Sequence, residues 1–188
     1  MAAVATFDAD GLWLSTSVCE GAACPAAASV GVRWGRWVDG PEPGDAVVDH
    51  AKALVELRRQ LGAHVSERVR FSHPGYDGAH PRPQELTSED AVACVFLKGT
   101  ALLSVRTSAG FTGVLCEAGD WVWLPAGVPH VFDAGESPDV VFLRLSAGRR
   151  GWFPLHTGRS LPPGLPPMEA FVEHLLHELG EDIEGSEA

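Results

Sequence analysis

The chain has 188 residues, 45% hydrophobic and 21% charged, with a formal net charge of -11 and a pI near 5.0. That length supports one domain with a sizeable core, placed over 1–188. The acidic balance argues against nucleic acid or an anionic membrane as a partner. No apolar run approaches the roughly 20 residues that cross a bilayer. Met1-Ala2-Ala3-Val4-Ala5 lacks the basic start of a signal peptide, so the expected location is the cytoplasm.

In chain order, a strand is predicted around Leu12 to Thr16, then a loose Ala-rich stretch from Gly21 to Ser29. Val30 to Val38, with Trp34 and Trp37, reads as a second extended segment, and Pro41-Glu42-Pro43-Gly44 breaks it. Val48, Ala51, Leu54, Val55, Arg58 and Leu61 fall at helical spacing, with Gly62 as the stop. Residues 72–83, rich in Pro, Gly and His, are predicted to be irregular, which closes an N-terminal part over 1–84.

From Glu85 the pattern changes to short apolar runs separated by turns: Ala91–Lys98, Ala101–Arg106, Phe111–Cys116, Trp121–Leu124, Val131–Phe132 and Val140–Leu145. Even spacing of short strands indicates a mainly β sandwich or barrel, with its core over 85–160. Met168, Phe171, Val172, Leu175, Leu176 and Leu179 make a helical stripe within 165–180, closed by Gly180. An acidic tail, 181–188, is predicted to fray. Cys19, Cys24, Cys94 and Cys116 lack zinc-knuckle spacing and are read as free thiols.

The most informative stretch is Gly119 to Phe132. A turn, an apolar strand and a Pro125-Ala126-Gly127-Val128-Pro129 bend lead into a strand that opens on His130. Alternation puts His130 and Phe132 on one face, the interior of a small barrel. On the last helix, His174 and His177 lack the i, i+4 spacing of a helical zinc pair, and Glu173, His174, His177 and Glu178 read as a solvated face. Trp121 and Trp123 read as barrel wall.

Gly119-Asp120 followed by Leu124-Pro125-Ala126-Gly127-Val128-Pro129-His130-Val131-Phe132-Asp133 resembles the second metal motif of acireductone dioxygenases, a family of cupins. Leu143-Arg144-Leu145, Gly151-Trp152-Phe153, Thr157-Gly158, and near the start Leu12-Trp13, Gly31-Val32-Arg33 and Arg36-Trp37 are similar to the same family. The resemblance implies a double-stranded β-helix (jelly-roll barrel) with an N-terminal and a C-terminal helix. It also implies an Fe or Ni ion held by three His and one Glu, and oxidation of an acireductone. The last ligand carries over onto His130. Anchoring on Phe96-Leu97-Lys98-Gly99 puts the other three at Leu86, Ser88 and Val92, none of which holds such an ion as imidazole or carboxylate does. No cofactor is therefore expected. The rebuilt alternative is Fe, Ni or Zn on His130 with Cys94 or Glu85, with His73, His80, Glu89 and Asp90 nearby.

Without a metal, the interior would hold His130, Cys94, Ser88, Phe96, Phe132 and Arg144, with Leu86 and Val92 in the wall. The resemblance puts Cys94 where the family usually has one arginine and Arg144 on a second. His130 suits proton transfer near neutrality, or hydrogen-bonds a backbone carbonyl. Arg144 would meet an anionic or enol-like ligand, or pair with a carboxylate at the rim. Cys94 is a candidate nucleophile or an inert thiol. Three readings follow: a metal-independent enzyme for proton transfer, cyclisation or isomerisation of a small polar molecule; a non-catalytic ligand-binding pseudoenzyme; and a metal-dependent dioxygenase with rebuilt ligands. Oligomeric state is left open.

Overall fold

A computed structural model describes residues 2–19, 31–36, 54–72 and 83–184. The elements in order are β1 (Ala2–Phe7), β2 (Trp13–Cys19), β3 (Arg33–Arg36), a helix α1 over 54–60, β4 (Val65–Ser72), β5 (Leu86–Ser88), β6 (Val92–Lys98), β7 (Thr100–Arg106), β8 (Phe111–Glu117), β9 (Asp120–Leu124), β10 (His130–Asp133), β11 (Asp139–Ser146), β12 (Pro154–His156) and α2 (Met168–Glu184). They form a seven-stranded sheet, β12-β5-β10-β7-β8-β1-β2, and a five-stranded sheet, β3-β9-β6-β11-β4. Pairing is antiparallel throughout, for example in β7 against β8 and β11 against β6. The two sheets are what the spacing of the short strands predicts, and their order is the jelly roll that the family resemblance implies.

The core lies between the sheets. Val4, Leu103, Val105 and Val114 from one meet Trp34, Phe96, Val122, Leu124 and Phe142 from the other. The period of two decides which residues enter it. In β9, Val122 and Leu124 point inward, while Trp121 and Trp123 face out and pack with Leu57 and Leu61 at α1. The two tryptophans are thus wall residues on the outer side. β7 is buried along Ala101–Val105 because its far face is covered as well. There Leu102 meets Phe171 and Leu175 of α2. Gly113 in β8 makes room for that helix, since a Cβ would stand 3.1 Å from the rings of Phe171 and Phe7.

The described part of α1 ends as predicted. Gly62 takes φ +62, Ala63 N–H donates to the Arg58 carbonyl at 2.9 Å and Gly62 N–H to that of Arg59 at 3.3 Å, which is a Schellman closure. Val48 and Ala51 of the predicted stripe lie outside the described residues, as do Trp37, Cys24, His73 and His80. Two predictions change. The last helix does not stop at Gly180 but runs to Glu184; one glycine costs a helix only about 1 kcal/mol, too little to break it alone. Strands β1, β4, β5 and β12 are additional. β4 and β12 show little alternation of burial, so periodicity could not reveal them.

Candidate functional site

Cross-strand register assembles the site. His130 of β10 stands opposite Leu86 of β5 and Val105 of β7, and Leu86 stands opposite His156 of β12. Directly paired residues share a face, so His156, Leu86, His130 and Val105 form one row. On the facing sheet, Arg144 of β11 pairs with Cys94 of β6 and with Glu67 of β4. These rows bound a cavity of about 190 Å³. Its polar groups are His130, Arg144, Cys94, Gln84 and His156. Its apolar wall is Leu86, Val92, Leu103 and Leu124, with Phe71, Phe132, Phe142 and Trp152 toward the aromatic side.

Six of the predicted interior residues line this cavity: Leu86, Val92, Cys94, His130, Phe132 and Arg144. Ser88 and Phe96 do not. Ser88 is buried and donates its hydroxyl to the Asp90 carbonyl at 2.6 Å. Phe96 lies in the core behind the wall, its ring parallel to Phe132 at 6.4 Å and tilted on Phe142 at 5.6 Å.

His130 is 4% exposed. The Pro-Ala-Gly-Val-Pro bend returns the Val128 carbonyl to within 3.0 Å of its Nδ1. A carbonyl only accepts, so the proton sits on Nδ1 and Nε2 is the basic nitrogen. Burial pulls the imidazole below its ordinary 6.5, against the upward pull of the Val128 carbonyl and Glu85, with Arg144 pushing it further down. The ring is therefore neutral at pH 7.

Arg144 is committed. Its Nη1 donates to Glu67 Oε1 at 2.8 Å, and the guanidinium lies 3.8 Å over the Trp152 ring. This is the rim pairing that the sequence leaves open. Part of the Cys94 surface opens onto the cavity, yet enclosure pushes its thiol up to about 12 despite the nearby Arg144. At neutral pH it stays protonated, which counts against both the nucleophile and the thiolate ligand.

Glu85 does not join His130. Its carboxylate is turned away from the cavity, accepting from Arg106 Nε and from Thr157 Oγ1 at 2.6 Å. Leu86 takes the inward position next to it, as alternation requires. Glu89 and Asp90 are exposed in the following bend. Among the described residues no three His, Cys, Asp or Glu side chains gather as a metal site. His174 faces solvent as expected, but its ring packs 4.0 Å from Trp13 and its Nε2 lies 3.2 Å from Glu178.

Trp152, His156, Gln84, Phe71 and Glu67 were not singled out from the sequence as site residues. For Trp152 a signal existed, a Gly-Trp one short loop after the strand that carries Arg144. Its indole N–H is buried without a partner.

The ARD/ARD′ family model matches residues 53–154. The chain belongs to this family. An acireductone dioxygenase of Gluconobacter oxydans is 32% identical over 152 residues, covering 74% of this chain and 80% of that protein. One of Gluconacetobacter diazotrophicus is 34% identical, covering 75% and 84%. Among solved structures, an acireductone dioxygenase from Bacillus anthracis with a cadmium ion in its active centre aligns with a TM-score of 0.54 at 15% identity. It covers 69% of this chain and 86% of that one, and shows the shared fold. In this member of the ARD/ARD′ family, two of the three positions that the motif resemblance assigns to ligands, Leu86 and Val92, do converge on His130, and they bring apolar side chains to it.

Proposed function

We propose that this ARD/ARD′-family cupin works without an iron or nickel ion, as an acid–base catalyst on a small polar molecule. The observation that carries the reading is the company of His130, which is Leu86 across the β5–β10 pair and Val92 on the facing sheet. A hard or borderline divalent ion needs imidazole or carboxylate at those places. Neither Leu86, Val92 nor the hydroxyl of Ser88, bonded to Asp90, supplies one, and the protonated Cys94 and the paired Glu85 do not replace them. Among the described residues, the donor set does not fit the metal.

What remains suits proton transfer. Nε2 of His130 is a neutral base, oriented by the Val128 carbonyl and enclosed by apolar walls. It can take a proton from carbon or oxygen next to a carbonyl and return it elsewhere on the molecule, the step common to isomerisation and cyclisation. Arg144 and the free indole N–H of Trp152 supply hydrogen-bond donors for the oxygen on which charge develops.

Metal content is the first test, on untagged protein expressed with added iron and nickel. The expectation is well below one ion per chain; a stoichiometric ion that disappears in His130→Ala overturns the reading. The chemistry is tested by solvent-deuterium incorporation into small enolisable ketones, lost in His130→Gln. The second reading, a binding protein without chemistry, is favoured by the commitment of Arg144 to Glu67. It predicts ligand affinity with no exchange.

A further inference from the structure

Two hollows meet at the edge of the seven-stranded sheet. Gln84 and His156 line both the inner cavity and an outer groove of about 650 Å³. β12 is the edge strand, so the groove lies where the sheet ends, and it continues along Arg159 and Ser160.

The two hollows differ in charge. Inside, Arg144 is the one cation among the described residues and is held by Glu67, and His130 is neutral, so the described walls carry no uncommitted charge. Outside, Glu85 is already paired with Arg106, whereas Arg159 is exposed and has no acidic partner among the described residues. A ligand carboxylate placed against the inner walls would be desolvated with only the Glu67-neutralised Arg144 to balance its charge, which is costly. At Arg159 it keeps water and gains a charge-assisted bond. The inner volume is also below the 300–1,000 Å³ or so of pockets that enclose drug-sized molecules, so it admits only a small head group.

We propose that this chain takes a two-part ligand: a compact, largely apolar head that carries the reacting carbonyl in the inner cavity, and a carboxylate tail that passes Gln84 and His156 to Arg159. The proposal rests on the reading of the cavity as a small-molecule site and adds the substrate class. Arg159 becomes a specificity-determining residue, and His156 lies where head joins tail.

The test compares 3-phenylpropionate with 3-phenylpropionamide by calorimetric titration of the full chain. The two share a head and a length and differ in the charge of the tail. The carboxylate is expected to bind about tenfold tighter than the amide, the worth of one hydrogen bond to a charged group. Arg159→Gln should bring the two affinities to within about twofold and leave the amide unchanged, with Arg159→Lys restoring part of the preference. A net charge of -11 opposes any general attraction of anions, so the preference cannot arise from the overall field. Absence of the preference, its survival in Arg159→Gln, or its loss only in Arg144→Gln overturns the tail assignment. Amide binding without carboxylate preference leaves the inner site standing, whereas failure of both probes on a folded chain removes the inner site as well.

Discussion

If Leu86, Ser88 and Val92 are the places from which metal ligands are missing, restoring them should restore metal binding. The variant Leu86→His, Ser88→His, Val92→Glu does so while keeping His130. Its cost can be worked from burial. Val92 is 3% and Ser88 4% exposed, so a carboxyl and an imidazole enter enclosed positions unpaired, together costing about 3–5 kcal/mol. Leu86 is half-buried at the cavity edge and adds little. The metal-free variant should stay folded but weakened, within the usual 5–15 kcal/mol or so of a domain this size. Nickel at 100 times its dissociation constant would return about 2.7 kcal/mol. The assay is urea unfolding followed by circular dichroism, with and without nickel. Adding His130→Gln to the variant should reduce nickel affinity at least about tenfold, a loss near 1.4 kcal/mol. A folded variant whose midpoint nickel moves no further than that of the natural chain, or moves equally without His130, would refute the placing of these positions around one ion.

Three further outcomes can be checked on single sites. Glu85→Gln should destabilise by about 2–3 kcal/mol, because Arg106, with a side chain 22% exposed, loses its only charged partner among the described residues; a double-mutant cycle with Arg106→Gln should show strong coupling, and simple additivity would contradict it. His130 has a folded-state pKa below 6.5, so as pH falls through 6.5 the unfolded chain takes up the proton first and stability declines toward acid, levelling off above about pH 7. Urea unfolding at several pH values should show that slope shrink in His130→Gln; an unchanged slope would assign it elsewhere. Cys94, its thiol pushed up to about 12, should be alkylated at pH 7.5 at least about 100-fold more slowly in the native chain than in urea. Mass mapping of the labelled peptide decides this, and equal rates would show an open, reactive thiol.

How much was readable depended on whether the information was local. Strands β6 to β9 are apolar runs bounded by turns, and their observed limits fall within about one or two residues of those predicted. Gly62 was legible as a stop because its role needs only the helix it ends. β4 and β12 were not, since mostly exposed strands carry no periodic signal and exist by pairing with β11 and β5. Gly180 misled because a helix C-terminus needs a left-handed glycine followed by a change of direction, and residue type alone does not reveal that. The N-terminus of α2 is likewise non-local, since the Met168 N–H is capped at 2.9 Å by Asp133 of β10, 35 residues away.

The site divides in the same way, and the division bears on its chemistry. His130 was legible because the Pro-rich bend that aims it also brings the Val128 carbonyl to its Nδ1, all within three residues. Arg144 was legible as a cation that needs a partner, but Glu67 is 77 residues earlier on a strand the periodicity does not show. That pair changes what the cavity can hold. An uncommitted Arg144 would press its full charge on His130 and push the imidazole further down, whereas Glu67, 2.8 Å away, takes up part of that charge. A lower pKa makes a weaker base. The proton chemistry of the cavity therefore depends on a surface strand, β4, as much as on the motif that carries the histidine, and Glu67→Gln should raise the cavity's affinity for anions while weakening His130 as a base.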